Sequence, residues 1–221
     1  MKQLLSSLLL LASFMPFMAN AQEATTPSSV AEKYQAGKHY HIIPTPVRTS
    51  NPDKIEVNTV FWYGCPHCYH FEAILNPWVK KLPSDVYAES TPAIWRPAME
   101  VHARAYYAAK QLNLLDTMHT ILFKAMQVEK KALANENEVV NQFTMHGVDE
   151  ATIRKAYESF SVQSQTRQAD ARVRGYGVQG TPEVIVNGKY RISSSDTGSQ
   201  EAMLEVASFL IDKERKAKGS K

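Results

Sequence analysis

The sequence predicts an α/β fold: a sheet with helices packed on its faces, interrupted by one long all-helical insertion. Three observations carry that expectation. An apolar, aromatic run over Lys54 to Tyr63 reads as a buried strand that feeds a helix. From about Pro97 to Tyr176 the pattern is helical throughout. Gly175 to Arg191 then returns to strand chemistry, with Asn187-Gly188 as the strongest short hairpin signal in the chain.

The elements follow in order. Met1-Lys2, the mostly apolar Leu4 to Phe17 and the small-x-small Ala19-Asn20-Ala21 form an export signal, cleaved after Ala21. The apolar part is too short, and too broken by Ser6, Ser7, Ser13 and Pro16, for a membrane anchor. Gln22 to Ser29, rich in Thr, Ser and Pro, reads as a flexible leader, and Val30 to Lys38 as a short polar segment. His39 to Ile43 suits an edge strand, ended by Pro44 and Pro46, with His39 and His41 sharing a solvated face rather than binding metal. Asn51-Pro52-Asp53 is a turn into the central strand. Beyond Gly64, Phe71, Ile74, Leu75, Trp78, Val79 and Leu82 recur at helical spacing, with a kink expected at Pro77 and an end near Leu82-Pro83. Val86 to Thr91 is a further strand.

Within the helical stretch, helices are expected over Ala98 to Leu112, Asp116 to Val128, Glu136 to Met145, a segment capped by Asp149, and Ser161 to Arg174. Asp116 is the candidate N-cap of the second, and Gly147 ends the third. Tyr106, Tyr107, Met118, Phe123 and Met126 read as packing between helices rather than a ligand box, and His102, His119 and His146 have no paired spacing. Glu183 to Val186 and Lys189 to Ile192 flank a type I′ turn at Asn187-Gly188. Ser193 to Ser199 is loop, with Asp196 or Ser199 as a cap, and Glu201 to Lys213 a final amphipathic helix. The basic end, Lys213 to Lys221, reads as a solvated tail.

Composition narrows the function. Of 221 residues 44% are hydrophobic, enough for a sizeable core. The formal charge is +3, or +2 once Lys2 leaves with the signal, too weak to argue for nucleic acid. Only two cysteines are present, Cys65 and Cys68, so an exported chain must stand on its core without a disulfide framework.

The two cysteines lie in Tyr63-Gly64-Cys65-Pro66-His67-Cys68-Tyr69-His70. Pro66, lacking an N–H and fixed in φ, fits the first helical position, which puts Cys65 at a helix N-terminus and Cys68 one turn further in. Free backbone N–H groups and the helix dipole favour an anion there, so the Cys65 thiol is expected below the free-cysteine value of about 8.5. His67, if protonated, adds to the effect. A disulfide that releases a stabilised thiolate is an oxidant of other thiols. As a structural staple, a four-residue loop gains only roughly 2 kcal/mol, against about 3 for fifteen residues. A zinc site built on the pair with His67 or His70 lacks a second cysteine pair, and Tyr69 stands where haem attachment needs His. The spacing favours a redox pair over both.

These motifs resemble the DsbA family of periplasmic thiol–disulfide oxidoreductases. The matching pieces are Gly37-Lys38-His39-Tyr40, Cys65 to Glu72, Lys80-Lys81-Leu82-Pro83 and Pro182 to Tyr190, so the likeness spans about Tyr34 to Lys213. It implies a thioredoxin fold with an inserted helical domain. The organisation would be a signal peptide at 1–21, a flexible segment at 22–37, a thioredoxin-like domain from 38–96 and 175–215, the helical insertion at 97–174 and a basic tail at 216–221. It also implies catalytic roles at Cys65, Pro66, His67 and Cys68, with Cys65 exposed and attacking and Cys68 buried and resolving. Pro182 would be a cis-proline facing the pair, presenting the Thr181 backbone to an extended substrate. Two positions depart from the pattern: Thr59 stands where a buried acid precedes the first cysteine by six residues, with Glu56 three residues earlier on the opposite strand face, and Thr181 replaces Val.

The expected activity is dithiol oxidation in the periplasm: a monomer that donates its Cys65–Cys68 disulfide to unfolded exported proteins. No cofactor beyond that disulfide and no metal is called for, and the resemblance implies reoxidation by a DsbB-like inner-membrane partner. Thr181 slightly favours the opposite sense, a disulfide isomerase or reductase, but residues 22–38 are short for the dimerisation segment such enzymes carry. A periplasmic copper or zinc carrier using Cys65, Cys68 and a histidine is a rival from another class.

Overall fold

The computed structural model describes residues 32–219; the export signal, its cleavage site and the leader at 22–29 lie outside them. The centre is β2 (Ile55–Phe61), seven residues that are all buried. It follows β1 (His41–Ile42) and leads into α1 (Pro66–Val79), after which β3 (Val86–Pro92) returns parallel to β2, from Ile55 opposite Val86 to Phe61 opposite Pro92. A parallel return needs a crossover, and α1 is that crossover. Five helices come next: α2 (Pro97–Gln111), α3 (Leu115–Gln127), α4 (Glu136–Thr144), α5 (Glu150–Tyr157) and α6 (Phe160–Tyr176). The chain then adds β4 (Glu183–Val186) and β5 (Tyr190–Ser193), a one-turn α7 (Ser194–Thr197) and α8 (Gln200–Gly219). The sheet order is β1-β5-β4-β2-β3, with every pairing antiparallel except β2 with β3.

Side-chain alternation along β2 divides the core. Ile55 and Val57 face α1 and α8, packing with Phe71, Leu75, Met203 and Leu210. Val60 faces the other way, toward Met99 of α2 and Val173 and Tyr176 of α6. Phe61, at the end of the strand, leaves both groups and joins the core of the helical stretch with Tyr106, Phe123 and Phe143. Tyr63, Cys65 and Cys68 belong to that third cluster. The cysteine pair therefore sits where the sheet runs out and the helical insertion begins.

Several local expectations change. The strand ends at Phe61 rather than Tyr63, because the chain turns at Trp62 and the Cys65 N–H bonds the Trp62 carbonyl at 3.0 Å. β1 is only two residues long, so His39 lies outside it; its Nδ1 accepts from the Gln35 N–H, while His41 pairs with Asp196 at 3.3 Å. The α1 helix continues through Pro77 and stops at Val79, a turn before Pro83. Asp116 is not a cap: α3 starts one residue earlier, with Leu114 at the cap position and Asp116 in the first turn, where its charge suits the dipole. Asp149 does cap α5, accepting from Thr152. Helix α6 opens at Phe160 behind a Ser159 cap and runs past Gly175 to Tyr176; the left-handed residue that ends it is Gly177, φ +66°.

Asn187 and Gly188 both have positive φ, as a type I′ turn requires, but the ladder resumes at Tyr190, leaving Lys189 as an extra residue. That residue is used: its carbonyl accepts from Ile43 N–H and its ammonium meets Glu214 at 2.7 Å. The segment Ser193 to Ser199 contains α7, capped by Ser193, and Ser199 caps α8. The docked chain begins before residue 37, since the Tyr34 ring packs on Phe209 and its hydroxyl bonds Glu205. The basic end is helical through Gly219, with Lys218 donating to the carbonyls of Pro52 and Lys54.

Candidate active site

The site is assembled from two segments far apart in sequence. The first is the start of α1. Cys65 is the N-cap residue, extended at φ −94° and ψ 114°, and Pro66 is the first helical residue. The Cys65 carbonyl receives the N–H groups of Cys68 (3.1 Å) and Tyr69 (3.2 Å), and no acidic residue stands in the first turn to oppose a thiolate. Gly64 has a steric reason to be glycine, since a Cβ there would lie 2.3 Å from the Trp62 indole. Pro66 and His67 are exposed, and the His67 carbonyl accepts from Gln200 of α8.

The second segment is the loop between α6 and β4. The Thr181–Pro182 peptide is cis, and the Thr181 carbonyl lies 3.2 Å from the Cys65 sulfur, accepting from its thiol. The loop is held by Glu183, a buried carboxylate that the sequence reading passed over as a strand residue. One of its oxygens accepts from the N–H groups of Gln179 (3.1 Å) and Gly180 (3.0 Å), and the other faces Arg191 at 3.4 Å. An acid opening the otherwise apolar Val-Ile-Val strand was the available signal.

The two sulfurs differ sharply. The Cys65 thiol is lowered to about 5, chiefly because the Cys68 thiol donates to its sulfur, and burial only partly opposes this. The Thr181 hydroxyl and the backbone N–H groups of Cys68 and His67 contribute further. His67 contributes through its backbone N–H. Cys68 is pushed well above the ordinary thiol range, first by burial and then by Cys65 itself. Cys65 is less exposed than expected, 9% against 2% for Cys68, because the cis-proline loop covers it. Both are free thiols, so the structure holds the reduced pair.

The departures from the family pattern also find their places. Thr59 is buried in mid-strand and lines a cavity of about 320 Å³ with Glu72, Glu89 and His119. Glu56 faces away from it, fully buried, bonded to Arg172 of α6 and to the Tyr87 hydroxyl at 2.7 Å. It ties sheet to insertion. Tyr106, Tyr107, Met118 and Phe123 are buried core residues, with Met126 packed partly against them. His119 is more than packing, since its Nδ1 meets the Tyr63 hydroxyl at 2.8 Å and its Nε2 lies 3.5 Å from Glu72. Gln127 donates to the Tyr63 carbonyl at 2.7 Å. Neither residue carries a sequence signal, because both act across helices. Among the described residues no group of three or more His, Cys, Asp or Glu is placed to hold a metal ion, and no helix is long and apolar enough to cross a membrane.

Comparison with known proteins gives the same picture. The DSBA-like thioredoxin domain family matches residues 86–205. The thiol:disulfide interchange protein DsbA of Pseudomonas aeruginosa is 38% identical over 187 residues, 85% of this chain and 89% of that protein. DsbA of Azotobacter vinelandii is 35% identical over 217 residues, 98% of this chain and all of that one, a span that takes in both cysteines. The crystal structure of Pseudomonas aeruginosa DsbA superposes with a TM-score of 0.82, covering 86% of this chain and 98% of its own. With a strand–helix dithiol, a cis-proline loop against its first sulfur and relatives of this closeness over nearly full length, the chain belongs to the DsbA family of thiol:disulfide interchange proteins, with a thioredoxin fold.

Proposed function

We propose that this protein is a dithiol oxidase of the periplasm, which passes the Cys65–Cys68 disulfide to exported proteins and is reoxidised by a DsbB-like membrane partner. The observation that carries the reading is the asymmetry of the sulfurs: Cys65 is held as an anion at neutral pH and Cys68 as a buried thiol.

In the first step a substrate thiolate attacks the Cys65 sulfur. The Cys65–Cys68 bond breaks, Cys68 leaves with the electron pair and takes up a proton, and a substrate–Cys65 mixed disulfide forms. A second substrate thiolate then attacks the substrate sulfur of that bond and expels Cys65 as a thiolate. The substrate has lost two electrons and the enzyme has gained them. Return by attack of Cys68 on the mixed disulfide is suppressed, because burial keeps Cys68 protonated. Departure of Cys65 is favoured, because a low-pKa thiol is a good leaving group. Glu183 sets the loop that offers the Thr181 backbone beside the reacting sulfur, where an extended chain pairs as an added strand. The redox group is the protein's own disulfide, and the pair needs no further cofactor.

The test is equilibration with glutathione, followed by trapping and counting free thiols. Reduced protein and oxidised glutathione should dominate. An equilibrium lying toward the protein disulfide would overturn the oxidase reading and favour a reductase.

A further inference from the structure

Trp62 is the last residue before the active-site turn, and its backbone serves both cysteines. Its carbonyl accepts from the Cys65 N–H at 3.0 Å, and its N–H bears on the Cys68 sulfur. A small rotation of this one residue would move both contacts. What fixes it lies in the helical insertion. The indole is pressed against Gly64, where a Cβ would be 2.3 Å from the ring, and the Arg96 guanidinium sits 5.2 Å from its centroid. The indole Nε1–H donates to Nδ1 of His102 at 2.9 Å, with the two ring planes 26° apart.

His102 is on α2 and 3% exposed. Its Nε2 faces two carbonyls, Ala132 at 3.1 Å and Leu133 at 3.2 Å. Carbonyls only accept, so Nε2 carries the proton; the indole only donates, so Nδ1 is bare. One tautomer of the neutral ring satisfies all partners, and a protonated ring would set two N–H groups against each other. Burial, which lowers the His102 pKa, favours the same neutral form. The ring is a fixed strut from the α3–α4 connection to the residue whose backbone meets both cysteines.

We propose that His102 is a positioning residue for the dithiol: through the Trp62 indole it holds the Trp62 backbone where it binds Cys65 and Cys68, so that the helical insertion sets the redox poise of the pair. The proposal rests on the exchange reaction assigned above and adds to it the residue that tunes its equilibrium.

The test compares His102→Leu, which fills the space without hydrogen bonds, with His102→Gln, whose amide can accept from the indole and donate to a carbonyl. For each the Cys65 thiolate is titrated by its ultraviolet absorbance, and the pair is equilibrated with glutathione. His102→Leu should raise the Cys65 pKa by about one unit and shift the glutathione equilibrium toward the protein disulfide by about tenfold, the worth of one hydrogen bond at the upper end of its range. His102→Gln should recover most of both. Trp62→Phe, which removes the indole N–H, should give the same shift, and the double variant Trp62→Phe, His102→Leu should add little to it. The proposal is overturned if His102→Leu melts lower yet keeps the wild-type pKa and equilibrium, or if the two single shifts add. A wild-type protein that fails to oxidise glutathione would instead sink the exchange reading, leaving the pKa titration to judge His102. Were His102→Leu not to fold, Trp62→Phe with the same readouts decides.

Discussion

The first turn of α1 and the loop before β4 meet at one sulfur, and they do opposite kinds of work. The helix start offers what any helix start offers: backbone N–H groups, a dipole end and, here, a neighbouring thiol donating to Cys65. It is rigid by local rules, with Pro66 and a continuous helix behind it. The loop has no regular structure. It is shaped by a buried carboxylate, Glu183, and offers Cys65 a carbonyl and a hydroxyl from Thr181. The helix makes Cys65 an anion; the loop adjusts how stable that anion is and what may approach it. Perturbing the helix side should therefore abolish chemistry, and perturbing the loop side should grade it.

The largest effect lies at the sulfurs. Cys65→Ser should remove thiol oxidation completely, since no disulfide remains. Cys68→Ser should leave a protein whose Cys65 thiolate attacks the bond of a disulfide-containing peptide, expels one peptide thiol and stays joined to the other sulfur as a mixed disulfide, seen on non-reducing gels. Mixed disulfides through position 68 in Cys65→Ser would break the assignment of roles.

The next effect is on stability against pH. The folded Cys65 pKa of about 5 lies below its unfolded value of roughly 8.5. Between the two, the unfolded reduced chain binds more protons than the folded one, so the stability of the reduced form rises with pH. The contribution is fully present above the unfolded value and is lost as pH falls through about 5. Cys68, whose folded pKa is raised, works the other way and only above roughly 8.5, where the unfolded chain ionises and the folded one does not. Melting temperatures of reduced and oxidised protein should thus diverge from pH 5 upward, reduced above oxidised, and the gap should stop growing near pH 8.5. A gap independent of pH would mean that the helix end does not hold a thiolate.

How much of this was legible follows the same division. The helix side could be read because its rules are local: an apolar strand, Pro66 at the first helical position and a cysteine before it. The role of Pro182 came from the family resemblance, carried by the Pro182 to Tyr190 match, and not from any local rule. What stayed hidden was contact across long stretches of chain. Glu183 looks like an ordinary strand start until its oxygens meet Gln179 and Gly180. His102, His119 and Gln127 looked like helix filler because their partners, Trp62 and Tyr63, are separated from them by 40 to 64 positions. Spacing rules report on neighbours along one helix and are silent about which residue of another element lies opposite. The Cys65 exposure was misjudged for the same reason, since the cover comes from a loop 116 positions away.

Glu183→Ala separates the loop's shape from its chemistry. The N–H groups of Gln179 and Gly180 would lose their acceptor and Arg191 its nearest charge. The cost should be about 1 kcal/mol of stability, the net worth of ordinary hydrogen bonds whose part-buried donors water can still reach. Peptide oxidation should slow more than the Cys65 pKa moves if the displaced backbone is the edge we propose for substrate pairing. Glu183→Gln, which keeps an acceptor oxygen, should recover much of the rate. If glutathione equilibrium shifts while peptide oxidation does not, the loop tunes the sulfur rather than docking the substrate.

The finest cut is Thr181→Val, which keeps the shape of the side chain and the carbonyl near Cys65 but deletes the hydroxyl that helps to hold the thiolate down. The hydroxyl ranks behind the Cys68 thiol among the groups that stabilise the anion, so its loss cannot return Cys65 to an ordinary pKa. A rise of about one unit or less is expected, with a glutathione equilibrium less oxidising by up to about tenfold. Since the thiolate is also the leaving group of the second step, release of oxidised peptide should slow in step with the equilibrium. A shift in the opposite direction would mean that the hydroxyl stabilises the disulfide or the mixed disulfide more than the thiolate. The loop would then act on the bonded states of the sulfur and the helix end on its free anion, a sharper division of labour than hydrogen bonding to one charge provides.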